Sequence, residues 1–178
     1  MMLLSHDEII ELIRNGVIEN AEEDCVNSSS LDIHLGAEIL VEVMPFVADL
    51  SLAHRESLTT VSVDIGRYFR LTPGQFILAH SREIFHLPNN ISAEYKLKSS
   101  MARIGLEHLN AGWCDAGWNG SVLTLELKNM TQFHNICLEK DVKIGQIVFF
   151  KHTPVPQDKS YSIRGRYNGD KSVSGAKS

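Results

Sequence analysis

Cysteine is scarce in this chain: Cys25, Cys114 and Cys137 are the only three among 178 residues, and no two form a C-x-x-C pair. Their spacing excludes a disulfide framework and a thiolate metal motif, so all three are expected to be small buried hydrophobes. The eight histidines (His6, His34, His54, His80, His86, His108, His134 and His152) show neither H-x-H nor H-E-x-x-H spacing. A transition metal held by the protein is therefore not expected. Basic excess is also missing. A net charge of −5 and a pI near 5.9 argue against nucleic acid or a membrane surface as partner, since both demand a dominant basic field. Apolar runs such as 147–150 fall far short of the ~20 residues of a membrane helix. The acidic Asp7-Glu8 start lacks the pattern of a signal peptide, so a cytoplasmic location is expected.

An apolar share of 43% with 22% charged residues fits one soluble domain over 1–178. Ser5 followed by Glu8 predicts a capping box, Leu4 and Ile9 a hydrophobic staple, and Gly16 the end of a short N-terminal helix. Helical periodicity then fades. Short apolar or alternating runs recur at 31–35, 39–43, 76–79, 122–127 and 143–150, divided by turn residues such as Pro73-Gly74 and Pro88-Asn89-Asn90. This pattern predicts a mainly β fold, a sandwich or an antiparallel barrel. The tail at about 159–178 is rich in Ser, Gly, Lys and Arg, and is expected to be frayed or ordered by a ligand.

Chemistry concentrates between Lys98 and Asn129. Leu123, Leu125 and Leu127 alternate with Thr124 and Glu126, which puts the leucines in a core and Glu126 on the other face. On a solvated face Glu126 is an ordinary strand acid; roofed over, it is a proton carrier with a tunable pKa. Lys98-Ser99-Ser100 with Arg103, stopped by Gly105, predicts one helical turn. Such a turn is either a plain cap or a cluster of cations and hydroxyls for phosphate or a polar catalytic group. Asp115 and Trp118 fall in a turn, where Trp118 is equally suited to filling a core.

Together these segments resemble the dCTP deaminase family of the trimeric dUTPase superfamily. The resemblance runs through SLDIHLG (30–36), LTPGQFILA (71–79), KSSMARIGL (98–106), AGWCDAGW (111–118), TLELKN (124–129), KIGQ (143–146), Tyr161 and RYNG (166–169). It implies a distorted antiparallel β-barrel of the dUTPase-like, β-clip type, with a homotrimer and active sites between subunits. It also implies zinc-independent hydrolytic deamination, dCTP and water giving dUTP and ammonia, with Mg2+ on the nucleotide phosphates. Glu126 is then the general acid/base, Ser99 and Arg103 hold it and its water, and the Ala111 carbonyl orients the water and the amine. Substrate contacts fall to Lys98, Ser99, Ser100, Arg103, Asp115, Trp118, Thr124, Leu125, Tyr161, Arg166 and Asp170, with dTTP a possible feedback inhibitor. The chain departs from the pattern at His34 (usually Arg), Leu97 (Gly), Asn110 (Thr) and Asp170 (a tail Gln). A bifunctional enzyme giving dUMP and pyrophosphate, a dCMP-preferring deaminase and a trimeric nucleotide-binding regulator are the alternatives.

Overall fold

The computed structural model describes residues 1–46 and 49–177; Val47, Ala48 and the tail's last residue, Ser178, lie outside the described residues. In chain order the strands are β1 (Met2–Leu3), β2 (Ile18–Glu19), β3 (Leu31–His34), β4 (Glu38–Glu42), β5 (Thr60–Asp64), β6 (Phe69–Leu71), β7 (Phe76–His86), β8 (Ile91–Leu97), β9 (Leu106–Glu107), β10 (Trp113–Cys114), β11 (Asn119–Asn129), β12 (Ile136–Leu138) and β13 (Lys143–Lys151). The α-helices are α1 (His6–Arg14), α2 (Ser99–Arg103) and α3 (Tyr161–Arg164).

One sheet runs β1-β13-β8-β10 with β3 also on β13, a second runs β5-β4-β7-β11-β9 with β2 also on β7, and β12 pairs with β6. Every pairing is antiparallel. The sheets wrap a shared core as a distorted barrel, without closing into one continuous ladder.

The core follows from strand alternation. β7 buries Ile77, Ala79, Ser81, Glu83 and Phe85 in strict alternation, β11 buries Leu123, Leu125 and Leu127, and β13 buries Ile144, Ile147 and Phe149. Each fully buried aliphatic or aromatic side chain contributes about 1.5–3 kcal/mol relative to exposure. At α1 the backbone N–H and hydroxyl of Ser5 both donate to the Glu8 carboxylate, at 2.9 and 2.8 Å. Gly16 turns the chain at φ 70°, and the helix buries Ile9 and Ile10.

β8, reading ISAEYKL, carries no clean alternation, yet it lies between β13 and β10 and buries Ile91, Ser92, Ala93 and Tyr95. Cys137 is exposed, correcting the expectation that all three cysteines are buried. Alternation in β12 sends Ile136 and Leu138 inward and so turns the residue between them outward.

Candidate active site

The outer face of β11 and the turn that precedes it form one wall of a cavity of about 480 Å³, a size suited to a small ligand. Thr124 and Glu126 line it, on the face that alternation sets apart from Leu125 and Leu127, and Asp115 and Trp118 line it from the turn, together with Ala111, Tyr161 and Asp170. The turn between β10 and β11 is set by Gly117, at φ 88°, where a Cβ would come within 2.1 Å of Ser160 Oγ. Only glycine lets the tail approach this closely. Trp118 stacks on Phe85 with ring centroids 5.5 Å apart, so it is both core and cavity wall. Asp115 accepts from Trp113 Nε1 at 2.9 Å.

One edge of β11 is taken by β7 along nearly its whole length, while β9 covers the other only at Lys128 and Asn129. Nearer the start of β11, Val122 N–H donates to the Asp170 carbonyl at 2.8 Å. Between these two contacts the outer edge at Thr124 and Glu126 has no strand partner among the described residues. This stretch of free backbone faces a cavity, where it can read a flat polar ligand. Burial pushes the Glu126 carboxyl above its ordinary value of 4.5, opposed by a bond from its own backbone N–H.

That shift carries a stability consequence. A carboxyl that holds its proton more tightly when folded loses stability for the protein as pH rises from the unfolded value through the folded one. Glu126→Gln carries no charge, so it is expected to melt above the parent at neutral pH, with the gap closing below pH ~4. Calorimetry at the two pH values checks this; equal melting at neutral pH would mean that the carboxylate is not desolvated or that a cation already balances it.

The tail lies across the cavity. Trp118 Nε1 and Ser121 Oγ both donate to the Tyr167 carbonyl, at 3.1 and 2.7 Å, and Asn119 N–H donates to Asn168 Oδ1 at 2.9 Å. Ser174, Gly175 and Ala176 reach the cavity beside Glu56, Ser57 and Leu58. Asp170 is ion-paired to Lys177 and accepts from Ser174 Oγ at 2.8 Å, which offsets the repulsion an acid there would exert on an anion.

A family model for dCTP deaminase-like proteins matches residues 3–152. This chain belongs to the dCTP deaminase-like family. Relatives from Aquifex aeolicus (36% identical, covering 97% of this chain and 92% of the relative) and Hydrogenobaculum sp. strain Y04AAS1 (35%, covering 87% and 85%) are each named dCTP deaminase, dUMP-forming. The crystal structure of 2'-deoxycytidine 5'-triphosphate deaminase from Agrobacterium tumefaciens superposes with a TM-score of 0.65 at 23% identity. It covers 83% of this chain, which spans about half (48%) of that longer one. The likeness places this member of the dCTP deaminase-like family in the same mainly β fold.

Within this single chain, the site residues expected from the sequence separate into two groups. Glu126, Ala111, Asp115, Trp118, Thr124, Tyr161 and Asp170 share the cavity. Ser99, Ser100 and Arg103 do not: they lie exposed on α2, which packs beside β9, and Arg103 borders a separate shallow cleft with Thr131 and His134. Lys98 donates to Asp32 Oδ1 at 2.6 Å, so its charge is engaged within its own chain. The Leu125 side chain points into the core, 1% exposed, and its backbone pairs with Ala79. Arg166 is exposed and outside the cavity. Phe76 and Leu78, which line the cavity from β7, were not singled out. Their signal is the unbroken apolar run FILA, whose two faces must both be covered.

Proposed function

We propose that this protein deaminates dCTP by hydrolysis and then releases pyrophosphate, giving dUMP, at sites shared between the subunits of a homotrimer. The partly buried Glu126 carboxyl on the free edge of β11, beside Asp115 and Trp118, carries the reading. The sequence alone puts dUTP first as product and dUMP second; the shared name of the relatives favours dUMP. The balance is dCTP and two waters to dUMP, ammonia and pyrophosphate.

Glu126 takes a proton from water attacking C4 of cytosine, delivers one to N3, and protonates the departing amine. Desolvation fits it for this, because a carboxyl with a raised pKa returns protons more readily. Thr124 reads the pyrimidine edge from the open strand edge, alongside the Leu125 peptide. Asp115 and Trp118 receive the deoxyribose and crowd a 2'-hydroxyl. The Ala111 carbonyl holds the attacking water.

Separation of α2 from the Glu126 cavity supports a composite site, with Ser99 and Arg103 of a neighbouring subunit reaching the carboxyl and Ser100 the phosphates. Tyr161 and Arg166 of the tail complete the phosphate contacts. Since Lys98 is paired with Asp32, it serves by fixing the start of α2. Magnesium fits this cavity as an ion arriving on the nucleotide: Asp170 is paired with Lys177 and Asp115 with Trp113, and Mg2+ is commonly held through substrate phosphates and water. When bound, it supplies neutralisation of the phosphate charge. dTTP, with the same sugar and phosphates, is the expected feedback ligand. Among the described residues no helix is long and apolar enough to cross a membrane.

Initial rates on dCTP, CTP and dCMP test the substrate assignment, with dCTP expected to be fastest. Faster turnover of dCMP would overturn the triphosphate and point to Asp170. Deleting residues 161–178 is expected to raise KM for dCTP at least about tenfold while the barrel still melts cooperatively, because a tail that closes on substrate excludes water and adds contacts. An unchanged KM would remove the tail from the site.

A further inference from the structure

Strand β7 carries two polar residues with no exposure at all, Ser81 and Glu83, on the face that alternation assigns to the core, and the chemistry assigned to Glu126 uses neither. They bracket a break in the ladder. Val122 of β11 stands opposite Ile84 and Thr124 opposite His80, so three residues of β7, Ser81, Arg82 and Glu83, face the single residue Leu123. The two extra residues form a bulge that keeps both faces in phase, because side chains in a strand repeat every second residue. Ser81 Oγ fills the break: it accepts the Leu123 N–H at 2.8 Å and donates to the Glu83 carbonyl at 2.7 Å. Glu83 pins the bulge to β3, since its carboxylate accepts the His34 backbone N–H at 3.0 Å and lies 2.7 Å from His34 Nδ1. Directly beyond the bulge come the pairs Thr124↔His80 and Glu126↔Leu78.

We infer that Ser81 is a positioning residue for the deamination: through the Leu123 amide it fixes where Thr124 and Glu126 stand along the free edge of β11. The inference rests on the reading of Glu126 as the proton carrier. Alternation forbids a slip of β11 by one residue, which would turn Glu126 into the core. A slip by two keeps every side chain on its face and moves Glu126 about 6–7 Å along β7, so the hydrophobic pattern alone does not choose between these registers. A hydroxyl that accepts the Leu123 N–H and donates to the Glu83 carbonyl makes the choice, and bulges beside active sites commonly aim a side chain in this way. Without Oγ, the Leu123 N–H and the Glu83 carbonyl lose these partners in a buried place, and the strands shift to recover them. A displacement of about 1 Å in a reacting group is enough to cost about 10²-fold in rate.

Steady-state kinetics on dCTP, read beside amide hydrogen exchange, tests this in full-length variants. Ser81→Ala should lower kcat about 10–100-fold with KM little changed, and Ser81→Thr, which keeps the hydroxyl on a strand-favouring side chain, should return kcat toward the parent. Ile147→Val, a core change on β13 in the other sheet, should lower the melting temperature and leave kcat near the parent. Exchange in Ser81→Ala should quicken at Leu123, Thr124 and Glu126 and not across β13. Ser81→Cys, similar in volume but a weak donor and acceptor, gives the same comparison if the alanine variant does not fold. Parental kcat in the alanine or cysteine variant, an equally deep loss in Ser81→Thr, or exchange at Leu123 no faster than in the parent would overturn the inference. A parent that releases no ammonia would instead remove the reading of Glu126, and the exchange pattern would still decide whether Ser81 holds β11.

Discussion

Glu126→Gln is expected to abolish release of ammonia from dCTP while nucleotide binding and subunit assembly persist. Glutamine keeps the shape of the side chain on β11 and can still meet the amine and N3 with hydrogen bonds, but it can neither accept the proton of water nor return one. General acid–base catalysis alone is worth about 10²–10⁴-fold, and here one group serves the attack, the N3 protonation and the departure of ammonia. The loss should therefore meet or exceed the top of that range. Calorimetric binding of dCTP to the variant separates this from misfolding: near-parental affinity with no ammonia is the expected pair of results. Deamination within tenfold of the parent would remove Glu126 from the chemistry.

Arg103→Ala is expected to cost about 10²–10³-fold in deamination, the usual loss on removing one aimed donor from a closed site. Its more telling use is in mixtures. Arg103 lies on α2, outside the cavity that holds Glu126 in the same subunit, so each working site would take one residue from each of two subunits. Neither Arg103→Ala nor Glu126→Gln trimers should turn over dCTP appreciably. Trimers assembled from equal amounts of the two variants should regain about a quarter of the parental activity, the share of interfaces at which the subunit giving Glu126 and the subunit giving Arg103 each contribute an unsubstituted residue. Absence of recovery, with mixed trimers verified by mass spectrometry, would place the whole site within one subunit.

Much of this architecture is legible in the sequence because it rests on local rules. The Ser5–Glu8 box, the glycines at 16 and 105, and the leucine alternation on β11 each depend on residues within one turn or one strand. The same alternation separates Glu126 from Leu125 by face, which is why one enters the cavity and the other the core. What escaped depends on distant partners. Lys98 reads as a free phosphate ligand until the fold sets it on Asp32, 66 residues away. The His34–Glu83 pair joins two strands and has no spacing signature. β8 has too little alternation to mark itself, and its strand character comes from a position between two neighbours. The tail reads as polar and loose, yet its backbone carbonyls supply acceptors that Trp118, Ser121 and Val122 satisfy.

The most direct measurement follows ammonia, dUMP, dUTP and pyrophosphate together during one incubation of the purified protein with dCTP and magnesium. Ammonia, dUMP and pyrophosphate are expected to rise in equal amounts, with dUTP never building up. Ammonia with accumulating dUTP would contradict the dUMP-forming reaction, and the absence of ammonia would contradict the deaminase itself.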